Sequence, residues 1–474
     1  HWVDIWGKNN RVDHNNFTGK TTEGTTLVVW LKGDEHIENN HQIDYNFFGP
    51  RPELGRNGGE TIRIGTSTNS MKSSKTIIEN NTFKNCDGEI EIISNKSCDN
   101  IIRGNLFLES KGTLTLRHGN NALVENNVFF GNNVKKTGGI RVINEGHIVQ
   151  NNLLVGLTGD GYRGPIVVMN GVPNSPLNRY HQVKNVTIQN NTILNCGPLT
   201  FGAGKDNEKT LAPLNTIFTN NIISNTTGGK IADFEDSVNG ITFKGNIVDS
   251  EANVDSKYFT KQTINWELIK SLPIPSINNE ILKSVQKTAQ SPSVDITNAK
   301  RDIYVAGAFN LGNTNLPNAI RMRTGPRWKP TIIAPKVEVN KEIEVAPGLG
   351  NLRKAIEKAT NGTVLILQPA IYEIEKKIKV KANIIIKGSK KGETLIKTKE
   401  QLDTPIDYIF RVNEGARLQI EYVTLTGENK NPLKYAIVSP DKYESGLYSI
   451  FADNCVFKNF TNTNGGSIYK AYTG

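Results

Sequence analysis

Four charged residues, Arg63, Glu91, Arg117 and Arg141, recur at separations of 28, 26 and 24 residues. They belong to four short alternating segments: Thr61-Ile62-Arg63-Ile64, Glu89-Ile90-Glu91-Ile92, Leu114-Thr115-Leu116-Arg117 and Gly139-Ile140-Arg141-Val142. In a strand, alternation sends these charges to one face and Ile62, Ile64, Ile90, Ile92, Leu116, Ile140 and Val142 to the other. Stacked on successive coils, the charges would make one outer row of three arginines interrupted by acids. Such a row suits an anionic polymer, with the acids holding a metal.

Asn57, Glu89, Glu91, Lys96, Arg117 and His118 cluster around that row. Glu89 and Glu91, two apart in a strand, would share a face, and paired carboxylates are unstable without a cation or a proton. Calcium takes several oxygen ligands, and Asn57, one coil earlier, offers an amide oxygen. Lys96 follows Glu91 by five residues, on the turn leaving that strand, and Arg117 lies 21 residues further, on the next coil. Each residue alone also reads as a solvated surface charge; stacking across consecutive coils is what makes them a site.

The elements that must hold these residues repeat. The near-constant spacing is that of a solenoid in which each coil adds one strand to a parallel sheet. An Asn followed by apolar residues recurs as well, at Asn16, Asn46, Asn81, Asn105, Asn127, Asn152, Asn191, Asn221 and Asn246. The steps are 30, 35, 24, 22, 25, 39, 30 and 25 residues, a short coil with longer insertions at some turns. Asn suits tight turns, and in register it forms inward amide ladders. A parallel β-helix accounts for both signals, whereas a β-sandwich would need hairpin turns at closer spacing.

The net charge of +10 favours an anionic partner. Nucleic acid is disfavoured, because the basic residues are dispersed and no zinc-finger spacing, basic helix or RNA-binding signature is present. Cys86, Cys98, Cys196 and Cys455 show no CxxC pairing, and no run approaches the ~18 apolar residues of a membrane helix. Nothing in the sequence sets an oligomeric state.

Residues 1–250 read as a catalytic β-helix that starts inside a coil, with its cap and first coils missing. Residues 251–336 read as closing coils and linker, with a helical-looking stretch at Trp266-Glu267-Leu268-Ile269-Lys270 and a loop-rich end at Gly325-Pro326-Arg327-Trp328-Lys329-Pro330. Residues 337–474 read as a second, truncated β-helix whose cap helix is predicted over 351–359.

The segments Asn57-Gly58-Gly59-Glu60-Thr61-Ile62-Arg63-Ile64-Gly65, Glu89-Ile90-Glu91-Ile92-Ile93-Ser94-Asn95-Lys96-Ser97, Thr113-Leu114-Thr115-Leu116-Arg117-His118-Gly119 and Gly138-Gly139-Ile140-Arg141-Val142 resemble those of polysaccharide lyase family six. That family holds alginate lyases and the dermatan sulfate lyase chondroitinase B. The resemblance covers most of residues 1–250 and implies a right-handed parallel β-helix. It further implies Asn57, Glu89 and Glu91 as Ca2+ ligands, Lys96 as base, Arg117 as acid and an exported protein. Residues 337–474 would match the second β-helix of two-domain alginate lyases.

The chemistry suits these residue types. A polyuronate is cleaved by β-elimination when a base removes H5 and the bond from C4 to the bridging oxygen breaks. A cation and an arginine at the neighbouring carboxylate stabilise the charge that develops. His118 would share proton donation or bind substrate, and Arg63 and Arg141 would clamp carboxylates bidentately. Glu145, His147, Arg179 and Tyr180 would line the groove, the Tyr ring suiting a sugar face. The expected activity is thus alginate lyase, with a dermatan sulfate lyase or a non-catalytic polysaccharide-binding module as the alternatives. A pectinase-type hydrolase would need the paired acids as acid and base.

Overall fold

The computed structural model describes all residues except 227, 284, 286, 289, 327–337, 440–446, 462–466 and 471–474. Of the expected closing coils and linker, 251–336, residues 284, 286, 289 and 327–336 lie outside the described residues. The chain divides into two compact units, one of Lys8–Thr21 and Trp30–Trp328, the other of His1–Gly7, Thr22–Val29 and Lys329–Gly474.

The larger unit is a parallel β-helix. Each coil contributes one strand to each of three sheets, and every pairing along those sheets is parallel. In the second sheet Gln42–Asp44, Ile77–Glu79, Ile101–Arg103 and Leu123–Glu125 follow one another in register. The third sheet begins at Asn16–Phe17 and passes through Thr82–Lys84, Leu106–Leu108 and Val128–Phe130.

Two side-chain stacks hold the coils in register. Asn46, Asn81, Asn105, Asn127, Asn152, Asn191, Asn221 and Asn246 form a buried ladder, each Oδ1 accepting from the backbone and side-chain N–H groups of the preceding member. The ladder opens with Asn15 rather than the expected Asn16. The residue before each rung takes a left-handed backbone, as at Asn80, Asn126, Asn151 and Asn190 with φ of 56°, 57°, 53° and 52°. One Asn of each pair therefore makes the corner and the other makes the rung. Beside the ladder, Phe17, Phe48, Phe83, Phe107 and Phe129 stack face to face with centroids 4.4–5.1 Å apart.

The expected helix at 266–270 is instead a strand, Trp266–Ile269, paired antiparallel with Leu272–Pro275. Trp266 packs towards the apolar cluster around Leu272 and Ile274, and the alternating contacts of a hairpin override the local helical look. All four cysteines are free.

In the second unit, Val3–Ile5 pairs in parallel with Leu27–Val29. Lys341–Val345, Thr363–Leu367, Ile384–Lys387, Arg417–Glu421 and Ser449–Asp453 make a parallel sheet. The helix Asn351–Glu357 lies within the stretch predicted for it and buries Leu352 and Ile356.

Candidate active site

The first sheet of the larger unit carries the charged residues, but not as one in-register row. Arg63 pairs with Ser94, Ser94 with Thr115, and Thr115 with Arg141. Glu91 sits opposite Thr113, and Lys96 opposite His118. Two bulges cause the shift. Ile92 and Arg117 are each the extra residue of an irregular step, which lengthens both strands, Glu91–Lys96 and Thr113–His118, to six residues. A bulge bends the strand and re-aims a side chain, and here it turns Arg117 towards Glu91. Glu89 lies before the strand, not in it, and Ile90 is only half-buried. The expected same-face pairing of Glu89 and Glu91 within a strand is thus corrected, although their carboxylates do meet.

They meet because two glycines let two loops touch. A Cβ on Gly59 would lie 2.4 Å from the Gly88 carbonyl oxygen, and one on Gly88 2.2 Å from that of Gly59. Buried Arg51 ties the first loop down by donating to the carbonyls of Gly59 and Glu60 at 2.9 and 2.8 Å. The result is a trio, Glu60, Glu89 and Glu91, whose ligand atoms lie within 4.8 Å of one another. Burial, with Glu60 and Glu91 nearby, pushes the Glu89 carboxyl up to about 8, and its buried Oε1 has no hydrogen-bond partner. Three crowded acids and an unsatisfied oxygen fit a hard cation, whose charge would relieve both. Glu60 was not picked out by sequence reasoning. Its signal was Gly58-Gly59, which marks a close backbone approach.

Cations surround the trio. Lys96 Nζ is 3.5 Å from Glu60 Oε1, and Arg63 Nη1 is 4.0 Å from the same oxygen. Arg141, 3% exposed, donates to Glu91 Oε1 at 2.6 Å, and Ser94 Oγ donates to Glu91 Oε2 at 2.5 Å. Arg141 therefore holds Glu91, although its buried Nε has no partner. Arg117 Nε lies 3.6 Å from Glu91 Oε1, its Nη1 donates to the Arg179 carbonyl at 2.9 Å, and its guanidinium covers the Tyr180 ring at 4.2 Å. Burial lowers the Arg117 pKa, and Glu91 opposes that shift.

His118 is buried, and desolvation, then Arg117, Lys96 and His181, lower its pKa to about 2. It is a neutral imidazole at ordinary pH. Because Arg117 only donates, its 3.4 Å contact makes His118 Nδ1 an acceptor and leaves Nε2–H to meet Ser67 Oγ at 3.3 Å.

Glu89, Glu91, Lys96, Arg117, His118, Arg141 and Tyr180 line one groove of about 690 Å³, together with exposed Asn57 and with Tyr162, Arg163, Lys111 and Lys136, which sequence reasoning missed; Glu60 and Arg63 are not part of its lining. Tyr162 and Arg163 sit on a short 3-10 helix, Gly161–Arg163, and Lys111 and Lys136 on a bend and a turn between strands, so no strand spacing pointed to them. Three expected groove residues lie elsewhere. His147 is fully buried; its Nδ1 accepts from Ala122 N–H and its Nε2 meets the Ile143 carbonyl at 2.8 Å, so it braces the turn. Glu145 lines a separate pocket. Arg179 lends Arg117 its carbonyl, while its side chain pairs with Glu208.

Fold and groove define a parallel β-helix protein with a cationic cleft around an acidic trio. The Chondroitinase B family model matches residues 1–290, and the chain belongs to that family, polysaccharide lyase family six. It is 37% identical to the PL6 family alginate lyase AlyGC, covering 97% of this chain and 59% of that one, with a TM-score of 0.57. A mannuronic acid specific family 6 lyase from human gut microbiota is 39% identical over 56% of this chain and 61% of its own, with a TM-score of 0.51. Alginate lyase AlyF-OU02, solved in complex with G6, is 25% identical over 66% of this chain and 70% of its own, also at 0.51. The chain thus spans less than two thirds of the length of AlyGC. No curated protein matches it.

Proposed function

We propose that this chain cleaves alginate by β-elimination, with Ca2+ held by Asn57, Glu89 and Glu91 and joined by Glu60. The observation that carries the reading is one groove in which Lys96 and Arg117 flank an acidic trio with an unsatisfied carboxylate oxygen. When bound, the ion would neutralise the uronate carboxylate and so acidify the neighbouring C5–H.

Lys96, as the free amine, takes the H5 proton on Nζ. The C–H electron pair forms the C4–C5 double bond as the bond from C4 to the bridging oxygen breaks. Arg117 donates a hydrogen bond to that oxygen and supplies its proton, a role that burial of the guanidinium favours and Glu91 resists. Tyr180 holds the Arg117 plane, and neutral His118 orients the guanidinium through Nδ1. Arg63 sits against Glu60, and Arg141 is committed to Glu91.

A dermatan sulfate lyase is the second reading, favoured by the description of the matching family model. The alginate lyases among the solved structures support the first. An exported location accompanies either, since an intact polymer does not cross a membrane; no described helix is long and apolar enough to span one. The test is ultraviolet absorbance of unsaturated uronates with alginate, its block fractions and dermatan sulfate compared side by side. Product from none of them would overturn the reading in favour of a non-catalytic binding module.

A further inference from the structure

A second pocket, of about 160 Å³, is lined by Met71, Asn120, Asn144, Glu145, His181 and Lys184. It adjoins the groove along three segments, each of which gives one residue to either cavity. Ser67, His118 and Tyr180 line the groove, and Met71, Asn120 and His181 line the pocket.

Asn144 makes this pocket unusual. It is 1% exposed, yet neither its amide nitrogen nor its amide oxygen has a hydrogen-bond partner. Nε2 of His181 is likewise buried and unpartnered. An occupant that reaches this amide would satisfy it by accepting from its N–H and donating to its oxygen. A metal ion would satisfy only the oxygen, and a carboxylate or sulfate only the nitrogen. The charges argue the same way. A backbone bridge sets Glu145 and Lys184 on neighbouring coils, so the pocket carries both signs and favours neither ion. Hydroxyl groups meet the requirement, and adjacent hydroxyls would also reach the Glu145 carboxylate. At ~30 Å³ per water the space holds about five waters, far more than a single bridging molecule.

We propose that this pocket is a saccharide subsite that binds the vicinal hydroxyls of one pyranose ring through Asn144 and Glu145. Its place in catalysis, receiving a ring beyond those held in the groove, rests on the polyuronate reading above.

Binding of methyl α-mannopyranoside, a neutral vicinal diol, tests the pocket without calling on catalysis. Ligand-observed saturation-transfer NMR on the full chain should show transfer that Asn144→Asp and Glu145→Gln each weaken about tenfold. Asp tolerates the left-handed backbone that Asn144 adopts (φ 74°), and Glu145→Gln serves if that variant fails to fold. Calorimetry on Lys96→Ala then compares mannuronate trimers and hexamers; the two changes should weaken only the hexamer. Absence of mannoside transfer, or transfer unchanged in a folded variant, would mean that the pocket holds water only and would overturn the proposal. Failure of the polyuronate reading looks different: neither oligomer binds, while the mannoside still does.

Discussion

Asn127→Ala tests whether the amide ladder carries the fold. Asn127 is fully buried and makes four side-chain hydrogen bonds. Its Oδ1 accepts from the backbone and side-chain N–H of Asn105, both at 3.0 Å, and its Nδ2 donates to Ile102 O at 2.9 Å and Asn152 Oδ1 at 3.0 Å. Some partners have alternatives: Asn105 Nδ2 still donates to Ile78 O and Arg103 O, and Asn152 Oδ1 still accepts from Asn127 N–H. The Asn105 backbone N–H has no such alternative and is left buried and unpaired. At ~1 kcal/mol per neutral bond, with ~1–3 kcal/mol for the orphaned donor replacing its share, the loss is about 4–6 kcal/mol. Guanidinium unfolding of both proteins, compared at the midpoint, measures it. A loss below about 1 kcal/mol would refute the reasoning, since the coils would then hold their register without the ladder. Asn127→Asp adds a check of sign. Ionised, it places a carboxylate opposite two acceptors; protonated, it can donate as Asn127 does. Its folded pKa is therefore raised, and its stability should fall as pH climbs from the unfolded carboxyl value of ~4.

Lys96→Ala should abolish elimination while oligomer binding persists; in a turnover assay, retention of more than about a tenth of activity, ~1.4 kcal/mol of barrier, would exclude Lys96 as the base. Glu89 gives a stability signature in chelator. Its folded pKa of about 8 exceeds the ordinary carboxyl value, so the folded state binds the extra proton and stability should fall from about pH 4.5 to 8. Melting curves at pH 5 and 8 with and without calcium read this out, and a flat chelated profile would remove the acid crowding. Gly88→Ala, whose Cβ would meet Gly59 O, should part Glu60 from Glu89 and weaken calcium binding in calorimetry; unchanged affinity would show that the loops need not touch.

The sequence by itself determined the coil and its register signals. Turn geometry and cross-coil amides repeat locally, so a recurring Asn after a corner residue is legible in one dimension, and so is the alternation that buries Ile62, Ile64, Leu116, Ile140 and Val142. Glu91, Lys96 and Arg117 were legible because they lie on consecutive coils of one sheet. What only the tertiary structure decided depends on breaks in that repeat. Bulges at Ile92 and Arg117 re-aim side chains without a clear mark in the composition, and they put Arg141, not the solvent, against Glu91. Glu60 joins the acids because Gly59 and Gly88 let two loops touch, and His147 turns inward because two backbone groups claim its ring. Periodicity records which residues share a sheet, whereas a side chain's direction and partners follow from packing between coils far apart in the chain.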